Sequence, residues 1–340
     1  MANSNRRWLL RSRPEGKLKV DDFALDEQPF EEPELQDGEV LVRTGMFSCA
    51  PTMRNWMNDP SRSYRASVGL GEPVIGVAGG YVEKSRHPRF PVGSKVTGVL
   101  GWEDYRLLAP DRDPHPVLAV PDDVSLEDAM GVLGANAMTA YFGLLRVGDP
   151  KPGETVVVSA AAGSTGSVAA QIARIKGCRV IGIAGGAAKC ARLTEELRLD
   201  AAIDYKKEDV SERLRELCPN GIDLFFDNVG GDILQAVMDN IAVFGRVVVC
   251  GQIAAYDSAD TAPGPRDMMK VVYWRVRIEG FVLGDFAKDA DMARADLKRW
   301  RDEGQLVYRT DVRSGFEALP RTFLDLFSGN NDGALLVRSN

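Results

Sequence analysis

Apolar residues follow two different rhythms along this chain. Up to about residue 125 they come in short β-type runs broken by Pro and Gly, as in "GEVLVRTGMFS", "PVIGVAGGYVE" and "GSKVTGVLGWEDYRLLA". Short strands separated by turn residues predict an antiparallel β barrel or sandwich. From Leu126 the spacing becomes helical in "SLEDAMGVLGANAMTAYFGLLRVG", with Ser125 as the cap and Asp128 three residues on. Strand candidates then follow at 155–160, 179–184, 201–205, 222–229, 246–251 and 275–282. Helical stretches fill most of the gaps, among them "SERLRELC", "GDILQAVMDNIAVFG" and "DADMARADLKRWRDEG". This alternation predicts an α/β fold with a doubly wound parallel sheet. The chain closes on strand-like "QLVYRTDV" and "GALLVRSN", which suit a return to the first region's sheet.

Length and composition narrow the classes. The 340 residues suit two domains, each able to bury a core. A hydrophobic share of 44% with 27% charged residues is that of an ordinary globular protein. A net charge of −7 offers no basic footprint for nucleic acid or anionic membrane. No apolar run approaches the roughly 18 residues of a spanning helix. The stretch "MANSNRRWLLRSRPEG" lacks a signal-peptide core, so a cytoplasmic location is expected. Cys49, Cys178, Cys190, Cys218 and Cys250 are dispersed, which reads as reduced thiols. His87 and His115 sit in proline-flanked loops, no CxxC or HExxH spacing occurs, and no metal site is predicted.

The chemistry concentrates in "VVVSAAAGSTGSVAAQIARIKGCRVIGIAGGAAK". After the strand "TVVVSA", Ala161, Gly163 and Gly166 give A-x-G-x-x-G, a variant of the dinucleotide fingerprint. Small residues allow the tight turn, Gly163 lets backbone approach a pyrophosphate, and Gly166 lets helix and strand pack closely. The anion then rests on free N–H groups at the helix N-terminus. A kinase-type phosphate loop is disfavoured, because no lysine follows Gly166 until Lys176. An NAD site carries Asp or Glu about 20 residues past the glycine turn, for the adenosine 2′-hydroxyl. Here that window is Ala184-Gly185-Gly186, with Lys189 shortly after, which favours the 2′-phosphate of NADPH. Two further strand ends face the edge where such sheets bind ligands: "FFDNVGG", with Asn228, and "VVVCGQIAAY", with Cys250, Gly251 and Tyr256.

Taken together, "APTMRNWMND", "LGANAMTAYFGL", "AAAGSTGSVAAQIARIKGCRVIG", "FDNVGG", "CGQIAAY", "EGFVLGDF" and "GNNDGALLV", in that order from residue 50 to 337, resemble a known family. It is the zinc-independent branch of the medium-chain dehydrogenase/reductases, that of prostaglandin, curcumin and alkenal double-bond reductases. The resemblance implies a GroES-like β-barrel catalytic domain from residues 1–128 and 307–340, with a Rossmann domain, 129–306, inserted in it. It implies an active site in the cleft between them, NADPH as cofactor, a small enone or enal as substrate, no metal, and a homodimer. Carried over position by position, Gly163, Ser164, Thr165 and Gly166 match the pyrophosphate contacts, and Lys189 and Tyr205 the 2′-phosphate contacts. Asn228, Cys250, Gly251, Gln252, Ile253, Tyr256, Phe281, Val282, Leu283 and Asn331 match positions around the nicotinamide and its ribose. Tyr256 also matches a tyrosine assigned to catalysis, while Tyr64 and Thr52 match positions bordering the substrate. The chain departs from the family where Thr52 replaces a usual Tyr, where Gly186-Ala187-Ala188 replaces a more polar run, and at Ala334 in place of Lys. The expected reaction is NADPH-dependent reduction of the C=C bond of α,β-unsaturated ketones and aldehydes. An NADPH quinone oxidoreductase of the same superfamily and a non-catalytic NADPH-binding protein stand as alternatives.

Overall fold

The computed structural model of the chain describes residues 4–62, 67–256 and 264–339. Tyr64, one of the two residues expected to border the substrate, lies outside the described residues. The chain divides into two compact units, Met1–Met130 with Thr310–Asn340, and Gly131–Arg309.

The first unit opens with strands β1 (Ser4–Leu10), β2 (Phe23–Pro29), β3 (Val40–Cys49), β4 (Ile75–Ser85), β5 (Lys95–Gly101), β6 (Tyr105–Leu108) and β7 (Leu118–Val120). Strands β8 to β13 belong to the second unit. The first unit then closes with β14 (Thr310–Ser314) and β15 (Ala334–Arg338). Its main sheet runs β14-β15-β3-β4-β5-β7, with β6 also on β3, while β1 and β2 form a separate hairpin. Most pairs are antiparallel, but β14 and β15 run parallel. Because β15 pairs directly with β3, Leu335 opposite Cys49, the chain's last strand is built into the sheet formed by its first 120 residues. Trp102 is fully buried in this unit's core, stacked 5.7 Å from Phe23 and edge-on to Phe323 at 5.8 Å. The indole N–H of Trp8 donates to the carbonyl of Phe316 at 3.0 Å, tying the two ends of the chain together.

In the second unit the strands are β8 (Thr155–Val158), β9 (Arg179–Ala184), β10 (Ala201–Asp204), β11 (Ile222–Asp227), β12 (Ile241–Val249) and β13 (Arg277–Gly280). They lie in the order β10-β9-β8-β11-β12-β13, and every neighbouring pair is parallel. In chain order this is 3-2-1-4-5-6, the doubly wound Rossmann arrangement, with its topological switch between β8 and β11. Central strands read as unbroken apolar runs because both of their faces are covered: Val156, Val157, Val158, Phe225 and Phe226 are completely buried.

Two segments differ from the sequence pattern. The run after Ser125 was expected as one helix, but it forms Leu126–Met130 and then Ala135–Phe142. Gly131 and Gly134, both poor helix residues, bracket the break. Ser125 does cap the first piece, its hydroxyl accepting from Asp128 N at 3.0 Å. The stretch "GDILQAVMDNIAVFG" reads as a single helix, yet the helix stops at Asp239 and β12 begins at Ile241. Asn240 makes the change, its side-chain amide donating to Ala236 O at 2.9 Å and to Ser211 O at 3.2 Å. Phe244 then takes a left-handed backbone, φ +65°, its N–H donating to Trp274 O at 2.7 Å.

Candidate active site

The glycine turn joins β8 to the helix Ser164–Ile175, whose N-cap is Gly163 in extended conformation, φ −80° and ψ 173°. Gly163 brings no capping side chain, so the helix offers its first-turn N–H groups and its positive dipole end to an anion. A Cβ on Gly163 would sit 3.2 Å from the Ala160 carbonyl oxygen, whereas one on Gly166 would collide with that oxygen. Gly166 therefore serves close packing, while Gly163 keeps the backbone at the helix start free of a side chain. The left-handed residue of the turn is Ala160, φ +47°, one position before the alanine singled out in the sequence. Ala161 is instead fully buried, pressed towards Gly182 of β9, where an added Cβ would come within 2.9 Å of its methyl. Asn136 donates to the Ser164 hydroxyl at 3.0 Å and fixes it at the helix start.

Across the topological switch, a polar lattice holds the ends of β8 and β11. Ser159 donates to Asp227 Oδ1 at 3.0 Å and accepts from Asn228 N at 2.8 Å. The Asn228 amide donates to Ser159 O at 2.7 Å, and Asp227 Oδ1 also accepts from Val229 N and Gly230 N, each at 2.9 Å. Asp227 is 1% exposed, and that burial pushes its carboxyl above the usual range, against the lowering effect of the three hydrogen bonds to it. Its backbone oxygen receives Cys250 N at 2.8 Å and Gly251 N at 3.1 Å, which fastens the end of β12 to the same place. Gly230 adopts φ +72°, and a Cβ there would lie 2.5 Å from the Gln252 side chain. Asn228 was singled out in the sequence, but Ser159 and Asp227 were not. Their signal is a single polar residue interrupting each apolar run where the strand stops.

The Cys250–Tyr256 segment folds back on itself through a short turn at Ile253–Ala255. Ile253 N donates to Asn228 O at 3.2 Å, and Gln252 N lies 3.5 Å from the Tyr256 hydroxyl, a long contact. A Cβ on Gly251 would be 3.2 Å from that hydroxyl, so the phenol rests against the end of β12. Burial, with Asp227 adding to it, pushes the Cys250 thiol up to about 12, which disfavours its thiolate form. Phe281 follows β13, and its ring packs on Gly143 and lies 6.3 Å from Phe286, leaving Val282 half-exposed beside it. The pairing of β9 with β10 sets the loop that leads to Lys189 beside the one that starts at Tyr205. Lys189 falls in the first turn of the helix Ala187–Glu195, and Tyr205 follows Asp204, which sits opposite Ala184. The Tyr205 ring and the Lys206 stem lie over Gly185, within 2.8 and 2.9 Å of where its Cβ would be.

Two predicted residues belong to the first unit. Thr52 precedes the short helix Met53–Trp56, and its carbonyl accepts from Asn55 N at 3.0 Å. Asn331 donates to Gly333 O at 2.9 Å in the turn before β15. A cavity of about 460 Å³ in this unit is lined by Arg7, Glu72, Glu103, Arg106 and His115 among others, and by none of the predicted site residues. Among the described residues, no group of three or more His, Cys, Asp or Glu side chains is placed to hold a metal ion.

A parallel 3-2-1-4-5-6 sheet with an uncapped glycine-led helix at its switch point defines a dinucleotide-binding protein of the dehydrogenase and reductase class. Residues 6–115 match the family described as N-terminal domain of oxidoreductase, and residues 164–298 that described as zinc-binding dehydrogenase. The chain is 38% identical to an NADPH-dependent curcumin reductase of Escherichia coli, over 98% of this chain and 96% of that one. It is 36% identical to an NADP-dependent 2-alkenal reductase of Nicotiana tabacum, over 98% and 97% of the two chains. The crystal structure of CurA from Vibrio vulnificus in complex with NADPH superposes with a TM-score of 0.91 at 36% identity, covering 98% of this chain and 99% of that one. The chain belongs to the zinc-independent medium-chain dehydrogenase/reductase family.

Proposed function

We propose that this chain is an NADPH-dependent reductase of the C=C bond of α,β-unsaturated ketones and aldehydes. The observation that carries the reading is the convergence, at one end of one sheet, of an uncapped helix N-terminus, the Ser159–Asp227–Asn228 lattice and the Tyr256 hydroxyl. The fit to a dinucleotide is local and steric. Gly163 leaves room for a pyrophosphate at the helix start, Gly230 keeps the switch point clear, and Lys189 with Tyr205 suits a 2′-phosphate. The names of the E. coli and tobacco relatives, and the NADPH held by the Vibrio protein, support the same cofactor.

When bound, NADPH supplies a hydride from nicotinamide C4 to the β-carbon of the enone. Asn228 and the backbone of Cys250–Tyr256 would hold the nicotinamide ribose, because the lattice at the end of β11 immobilises them. The Tyr256 hydroxyl would donate to the carbonyl oxygen, or to a ribose hydroxyl beside it, as that oxygen gains enolate charge, and the α-carbon would then take its proton from solvent or through that relay. Much of the acceleration then comes from fixed geometry. Tyr256→Phe is expected to lower kcat on an enone by about 10²-fold, in line with loss of one oxyanion donor, with the Kd for NADPH nearly unchanged. Unaltered turnover removes Tyr256 from the reaction. Lys189→Ala is expected to raise KM for NADPH far more than for NADH, and equal effects would refute the phosphate role.

We also propose that the chain works as a homodimer joined along β13. That strand is the edge of its sheet, and all four of its residues are exposed. Around it Phe244 is 66% exposed and Val272 60%, with Tyr273, Trp274 and Ile278 also in solvent. An exposed strand edge flanked by apolar side chains favours pairing with another strand. A twofold axis at Ile278 would set Arg277 opposite Glu279 of the second copy in both directions.

A further inference from the structure

The place where an NAD-binding sheet carries its ribose-binding carboxylate, the end of β9, holds only Ala184, Gly185 and Gly186. A carboxylate nevertheless reaches that loop, from the neighbouring strand. Asp204 ends β10 opposite Ala184 and is 7% exposed. Its Oδ1 accepts from Gly186 N at 2.7 Å and from Lys206 N at 3.1 Å. Its Oδ2 is buried and accepts no hydrogen bond among the described residues. Asp204 N donates in turn to Glu208 Oε2 at 2.7 Å, and Tyr205 N donates to Ala184 O at 3.1 Å. One carboxylate oxygen thus staples two loops together. The first loop, with Gly186 at φ +97°, launches the helix that carries Lys189, and the second carries Tyr205 and Lys206.

We propose that Asp204 is a positioning residue for recognition of the cofactor's 2′-phosphate: by bonding Gly186 N and Lys206 N at once, it fixes the spacing between Lys189 and Tyr205. The inference rests on the NADPH reading above and names the residue that sets its selectivity. Gly186 is the loop's weak point, since a glycine at positive φ is free to wander without an external tether. The same carboxylate opposes a bound phosphate electrostatically, so its hydrogen bonds and its charge act in opposite directions. Asn in its place keeps an acceptor for Gly186 N and Lys206 N and removes the charge. Ala removes both.

The test is calorimetric binding of adenosine 2′,5′-bisphosphate and of AMP to the whole protein, for wild type, Asp204→Ala, Asp204→Asn and Lys189→Ala, with NADPH and NADH kinetics alongside. Asp204→Ala is expected to weaken the bisphosphate and raise KM for NADPH by about tenfold, the size of a lost charge-assisted hydrogen bond. AMP binding, KM for NADH and kcat should stay within about twofold, and Asp204→Asn should return the bisphosphate affinity to the wild-type value or tighter. Wild-type bisphosphate affinity in Asp204→Ala overturns the proposal, and so does an Asn variant as weak as the Ala variant. An equal loss of AMP and bisphosphate binding also overturns it, since that marks general damage to the fold. Lys189→Ala separates the two levels. If it loses bisphosphate selectively while Asp204→Ala does not, only the positioning role fails; if it loses none, the phosphate pocket itself is wrong.

Discussion

Gly166 shows how much a single hydrogen atom matters here. With the Ala160 carbonyl where its Cβ would be, Gly166→Ala forces the helix Ser164–Ile175 away from β8. A cost of about 1–3 kcal/mol is expected from such overpacking, seen as a lower Tm, together with weaker NADPH binding by fluorescence titration. An unchanged Tm would show that the turn yields without strain. At this scale the sequence is legible where a residue has no alternative, as at Gly166, whose place in the spacing matches the close helix–strand packing found there. It is less legible where a neighbour in space decides the role. Ala160, not Ala161, takes the left-handed backbone, because the buried Ala161 is needed against Gly182. Ser159, Asp204 and Asp227 become meaningful only when parallel pairing sets strand ends side by side.

Among the elements, β12 is the clearest case of tertiary context overriding local pattern. Ile241, Ala242 and Val243 continue a helical rhythm, but Ile241 pairs with Ile222 of β11, and the strand runs on to Arg246–Val249, which lie between β11 and β13. The order β10-β9-β8-β11-β12-β13 was foreseeable as a class from the alternation of strands and helices, while the exact partners of Asp204 were not. Its link between two loops also carries a pH signature. Hydrogen bonds from Gly186 and Lys206, with Lys207 nearby, hold the Asp204 carboxyl below its ordinary value of 3.8. A depressed folded-state value contributes stability that is present above the unfolded value and lost as pH falls through the folded one. The Tm advantage of wild type over Asp204→Ala is therefore expected to be constant above about pH 5 and to shrink below the ordinary carboxylate range. A gap that persists undiminished in acid would mean that the carboxylate's charge adds nothing to the stability of the hydrogen bonds that tie the loops.

For the molecule as a whole, both chain ends meet in the first unit, through β15 on β3 and the Trp8 bond to Phe316, while the dinucleotide fold occupies the middle of the sequence. That organisation explains why a nucleotide-binding pattern sits so far from the N-terminus. No helix among the described residues is long and apolar enough to cross a membrane. The exposed edge at β13 gives the whole-molecule prediction: sedimentation at twice the 37.1 kDa chain mass is expected, with Ile278→Asp shifting the protein to the single-chain mass. An Ile278→Asp protein that remains dimeric places the interface elsewhere. Hydride transfer from NADPH to the alkene is tested most directly by following deuterium from C4-labelled NADPH into the product of a simple enone. The expected result is a saturated ketone with deuterium on the former β-carbon; an allylic alcohol labelled at the carbonyl carbon, or no labelled product alongside active quinone turnover, would contradict it.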